Sequence, residues 1–132
     1  MNWMKVFITG IVGGIVVWLY SYLMHGLIMA KTYEKHEIFR DDASPVFYLL
    51  AMVFIAISGA LLFAKTRNSW ADGLKGGITF GFFVGLIIFF SQFMNVLVFK
   101  GFPYHLSWCW GGIEIIGWLI FGAVAGLLIK KS

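Results

Sequence analysis

The chain has 132 residues, 61% of them hydrophobic and only 12% charged, with a mean hydropathy of +0.89. Soluble domains carry roughly 25% charged residues, so the composition excludes an ordinary soluble domain and points to an all-α integral membrane protein. The net charge of +4 is no nucleic-acid footprint, because the basic residues stand singly at segment ends, as membrane anchors do.

The first apolar run, 6–30, follows Lys5. It is too long for a signal-peptide core and contains Trp18, Tyr20, Tyr22 and His25, so it reads as a retained span. A polar connection, 31–44, carries Glu34, His36, Glu37, Asp41 and Asp42. The second span, 45–64, opens with Ser44 as N-cap and Pro45 in the first turn. The third, 70–99, is introduced by Ser69 and Asp72, which have capping-box spacing. The connection 100–107 contains Pro103, and Ser107 is placed to cap the fourth span, 107–129. Each span needs about 20 residues, so four leave almost nothing for a separate soluble domain. The lone Cys109 excludes an internal disulfide.

The loops give an orientation. Lys5, Lys65, Arg67, Lys75, Lys130 and Lys131 share the side of both termini, against Lys31, Lys35, Arg40 and Lys100 on the other. The excess of basic residues places both termini in the cytoplasm and the chain in the inner (cell) membrane. Trp3 and Trp70 then mark the inner interface, and Tyr33, Tyr104, Trp108 and Trp110 the outer one.

Function is sought on the helix faces. At about 100° per residue, Gly73, Gly77, Gly81 and Gly85 share one arc with Ser91, Gln92 and Asn95. Gly10 and Gly14 share an arc with Ser21 and His25, and Gly122 and Gly126 share one with Gly111 and Glu114. Glycine lets helices approach closely, so these residues predict a glycine zipper toward the cytoplasmic half. Larger polar groups hold helices apart. The expectation is therefore a polar crevice open to the outside, lined by Ser21, His25, Ser91, Gln92, Asn95 and Glu114, under the aromatic 100–110 segment. A carboxylate at membrane depth needs a partner or a proton, and His25 is the nearest candidate for Glu114. No two of His25, His36, His105, Glu37, Glu114 and Cys109 fall at i, i+3 or i, i+4 within one expected helix, His105 being read in the connection before the fourth span. No metal site is therefore expected, and no cofactor is indicated. There is no phosphate loop and no nucleophile–His–acid spacing.

The glycine-rich opening of the third span, Gly73 to Gly85, and Trp110-Gly111-Gly112 at the fourth give a whole-chain plan that resembles small four-helix bacterial membrane proteins of unknown function. That resemblance implies an architecture and no activity. Small multidrug exporters and fluoride channels are similar in size only; the first span lacks a central glutamate of the exporter kind. The leading functional expectation is a small binding or transport protein acting through the crevice, with the lipid bilayer and a homo-oligomer as partners. The alternatives are an accessory subunit docking its glycine faces on a larger membrane complex, and an intramembrane enzyme using Glu114 and His25 as an acid–base pair.

Overall fold

The computed structural model describes residues 1–37 and 39–132, and these are folded into helices and turns. Ile38, in the connection expected at 31–44, lies outside the described residues. Helix α1 (Trp3–Tyr22) runs into a π-helical stretch, Leu23–Ile28, and is followed by the short α2 (Ala30–Glu34). Helix α3 is Pro45–Lys65, α4 is Gly73–Ser91, α5 is Phe93–Val98 and α6 is Tyr104–Leu128. Among the described residues, four segments are long and apolar enough to cross a membrane: Trp3–Ile28, Pro45–Lys65, Gly73–Val98 and Tyr104–Leu128.

The second span begins as its sequence predicts. Ser44 is extended, its hydroxyl accepts from the Phe47 amide, and Pro45 occupies the first turn. The other two expected caps are not formed. Ser69 closes a 3₁₀ turn (Arg67–Ser69), and α4 starts only at Gly73, with Asp72 as N-cap. Arg67 organises this turn instead: its guanidinium donates to the Trp70 and Ala71 carbonyls and to the Asp72 carboxylate, which makes no capping bond. Ser107 lies inside α6, which already begins after Pro103. It is fully buried, and its hydroxyl donates to the Gln92 carbonyl at 3.0 Å. That carbonyl lies at the break between α4 and α5, where it also accepts from the Asn95 backbone amide at 3.3 Å.

Helices α1 and α3 pack as one hairpin and α4 and α6 as another, and α1 joins the two by packing on α6. Glycine sets both hairpin interfaces. A Cβ on Gly14 would sit 2.8 Å from the Val53 Cα, and one on Gly10 would reach the Ile57 Cα at 2.6 Å. Between α4 and α6 the contact is backbone on backbone. A Cβ on Gly77 would meet the Gly126 Cα at 2.7 Å, and one on Gly122 the Gly81 Cα at 3.1 Å. A Cβ on Gly85 would meet the Ile115 Cα at 3.0 Å. Gly73 differs from the rest of its expected packing face. It has a positive φ of 64°, with nothing within 4 Å of where a Cβ would lie. Glycine there starts the helix in a conformation that L side chains rarely adopt.

The buried core lies where the hairpins meet and includes Val6, Ala60, Phe63, Phe80, Phe121 and Ala125. Phe63 of α3 and Phe80 of α4 stack with ring centroids 5.0 Å apart. Arg67 lies beside them, its Cζ 5.2 Å from the Phe63 ring centroid. Its Nε donates to the Ile129 carbonyl at 2.7 Å, so it fastens the end of α6 to the α3–α4 turn. Met1, Lys5, Lys65, Asn68 and Lys131 line one cavity, so both termini and this turn lie at the same end of the bundle.

Candidate functional site: an aromatic cavity around His25

At the end remote from the termini, α1 changes from α to π geometry. The Met29 amide reaches back five positions to the Met24 carbonyl at 2.9 Å. Such stretches are rare and concentrate at functional sites, because they re-aim side chains out of the α-helical phase. His25 lies inside this one. The chain then bends at Met29 and α2 folds back, which brings Tyr33 to the His25 ring.

Three side chains form a hydrogen-bonded relay. An indole N–H can only donate, so Trp110 Nε1 donates to the Tyr33 hydroxyl, 2.7 Å away. The Tyr33 hydroxyl is also bonded to His25 Nδ1. The phenol oxygen that accepts from Trp110 either gives its own proton to His25 Nδ1 or accepts a second hydrogen from it, according to the imidazole tautomer. In the tautomer in which Tyr33 donates, the neutral ring carries its hydrogen on Nε2. The rings support the same arrangement. His25 stacks on Tyr33 at 5.9 Å, and Trp110 stands edge-on to both, at 6.3 Å and 6.4 Å. Tyr33 is only 8% exposed. Burial pushes its hydroxyl up to about 12, with the Trp110 hydrogen bond acting in the opposite direction, so it stays protonated at neutral pH.

These groups border a cavity of about 510 Å³ whose walls also include Trp18, Tyr22 and Tyr48. Small-molecule pockets typically enclose about 300–1,000 Å³ of mainly apolar wall with a few placed polar groups. Across from His25, the Ser21 hydroxyl and the Tyr48 hydroxyl are 2.6 Å apart, which ties α1 to α3. The cavity is bounded on the loop side by Phe39 and Ser44. Arg40 and Asp42 form a bidentate pair in that loop at 2.9 Å, and the guanidinium holds the carboxyl below its usual range.

The six expected pocket residues are not brought together. His25 and Ser21 line the aromatic cavity. Gln92 and Asn95 do not; the Asn95 amide donates to the Gln92 side chain at 3.3 Å, beside the break between α4 and α5. Ser91 is exposed and donates to the Ile88 carbonyl of its own helix. Glu114 borders a separate space of about 60 Å³, with Val17, Met52, Trp118 and Phe121 among its neighbours. A uniform helical phase does not run through Leu23–Ile28 or through Gln92, because the π-helical stretch and the break interrupt it there.

Tyr33 and Trp110, which the sequence alone places at the outer interface, border the candidate site. The usable signal was an aromatic residue with a polar handle eight positions after an intramembrane histidine. Among the described residues, no group of three or more His, Cys, Asp or Glu is placed to hold a metal ion. No protein-family model, curated protein or solved structure matches the chain.

Proposed function

We propose that the chain is a multi-pass membrane protein that binds a small, flat, largely apolar ligand in the His25 cavity. The ligand presents a hydrogen-bond acceptor, a carbonyl or hydroxyl oxygen, to His25 Nε2. The observation that carries this reading is the Trp110–Tyr33–His25 relay set in an aromatic cavity of ligand size. In this reading Tyr33 donates to His25 Nδ1, so that a single directional donor, Nε2–H, faces an otherwise apolar wall. Such a pocket favours a body that stacks on indole and phenol rings and one polar atom that can accept.

In this reading both termini are cytoplasmic, following the excess of basic residues at their end, and the cavity opens toward the outer leaflet. The glycines support a binding protein over a docking subunit, because Gly10, Gly14, Gly77, Gly81, Gly85, Gly122 and Gly126 face other helices of the same chain. The acid–base reading has less support, because His25 and Glu114 border different cavities with no lining residue in common.

The test is the ligand that copurifies. Protein isolated in mild detergent is extracted with organic solvent, and the extract is compared by mass spectrometry with those of His25→Ala and Gly26→Leu. Gly26 lines the cavity, and a Cβ there would meet only the Tyr22 ring at 3.6 Å, so leucine fills space without striking backbone. An apolar compound present in the wild-type extract and depleted in both variants is the expected result. Identical extracts from all three proteins overturn the proposal.

A further inference from the structure

At the opposite end of the bundle, a second cavity of about 500 Å³ opens between the start of α1, the α3–α4 turn and the end of α6. Lys5, Lys65, Lys130 and Lys131 stand around it, and Val6 and Ile129 supply apolar wall. No aspartate or glutamate is among its described lining residues. The ion pairs among the described residues, Arg40–Asp42 and Arg67–Asp72, engage none of these lysines.

Arg67 sets this site apart from a scatter of surface lysines. Its side chain is only 6% exposed, yet it lines the cavity. Nε and both hydrogens of Nη1 are engaged by the Ile129, Trp70 and Ala71 carbonyls, which hold the planar group rigidly. On Nη2 one hydrogen bonds Asp72 and the other has no protein acceptor among the described residues. A fixed guanidinium with a spare donor, ringed by flexible ammonium groups, suits a phosphate oxygen geometrically and electrostatically. Asp72 neutralises Arg67 in part; it is 76% exposed and borders an adjoining cavity of about 370 Å³ that Arg67, Lys130 and Lys131 also line.

We infer that this cavity is a binding site for a phosphate-bearing anion, its occupant being the phosphodiester headgroup of an anionic lipid. Basic pockets between helices at the cytoplasmic side recognise such headgroups. The cavity lies at the ends of the apolar segments, which in this reading is headgroup depth, where a lipid phosphodiester is the phosphate at hand. The site is independent of the His25 cavity, with which it has no lining residue in common.

The full-length protein is reconstituted in nanodiscs of phosphatidylcholine mixed with phosphatidylglycerol, and the lipids retained on release are identified by native mass spectrometry. The wild type is expected to retain phosphatidylglycerol preferentially. The K5Q/K65Q/K130Q/K131Q variant loses that preference, the matching lysine-to-arginine variant keeps it, and K31Q/K35Q/K100Q at the other end keeps it too. Circular dichroism and gel filtration establish that each variant is folded, and K130Q/K131Q alone replaces the quadruple variant if that one is not. Retention that survives excess inorganic phosphate assigns the lipid, whereas displacement assigns the same groups to phosphate without a tail. A wild type with no preference, or equal loss when the opposite-end lysines are removed, overturns the inference, because bulk charge would then account for everything.

Discussion

Glycine-to-alanine substitution at two positions of α6 separates helix packing from helix propensity. At Gly122 the added methyl would come within 2.9 Å of the Gly77 carbonyl carbon and 3.1 Å of the Gly81 Cα, which is backbone with no rotamer to yield. At Gly112, on the same helix, nothing lies within 4 Å. Both changes remove glycine's excess backbone entropy, which favours the alanine helix by about 1 kcal/mol. Gly112→Ala should therefore be neutral or stabilising by up to about 1 kcal/mol. At Gly122 the same gain is opposed by overpacking, typically about 1–3 kcal/mol and at the upper end where backbone must move. The propensity gain cancels in the difference between the two variants, which should show Gly122→Ala less stable by about 1–3 kcal/mol. Reversible unfolding in mixed micelles with increasing sodium dodecyl sulfate, followed by circular dichroism, measures it. Variants equal to within about 0.5 kcal/mol would refute the backbone-contact account of the α4–α6 interface.

Three further outcomes follow from particular contacts. Ser107→Ala removes the donor to the Gln92 carbonyl at the α4–α5 break and should cost about 1 kcal/mol in the same unfolding assay. Tyr33 ionises near 10 when exposed and near 12 when folded, so its contribution to stability is complete below pH 10 and is lost as pH rises toward 12. Comparing alkaline unfolding of the wild type with Tyr33→Phe should show that this part of the loss disappears in the variant. For topology, single cysteines at Glu37 and Asn68 in a Cys109→Ser background should react with an impermeant thiol reagent from opposite sides, with Asn68 protected in intact cells. Labelling of Asn68 from outside would reverse the proposed orientation.

The four long helices were legible because apolar runs of this length fit no other element, and the Ser44–Pro45 start because its chemistry is wholly local. Gly10, Gly14, Gly77, Gly81 and Gly85 lie within uninterrupted α-helix, and a Cβ at each would meet another helix. What the sequence concealed depends on interruptions and on long-range partners. The π-helical stretch at Leu23–Ile28 contains no proline, and its Gly26 is one of many glycines in these spans, so the sequence does not announce that His25 is re-aimed. Its relay needs Trp110, which lies 77 positions from Tyr33. Arg67 looked like one of several topology-setting cations, because burial is dictated by the Ile129 carbonyl on a helix end 62 positions away. Ser107 read as a cap for a similar reason: its acceptor, the Gln92 carbonyl, lies at the break in the third span.

The most direct test of the binding proposal is an experimental structure of the protein in lipid nanodiscs, at a resolution that shows ordered small molecules. The account predicts the His25 ring held by Tyr33, and non-protein density in the aromatic cavity with an acceptor atom within hydrogen-bond distance of Nε2, roughly 2.7–3.2 Å. A cavity collapsed onto its own side chains, or a His25 ring turned away from Tyr33 to face lipid, would contradict it.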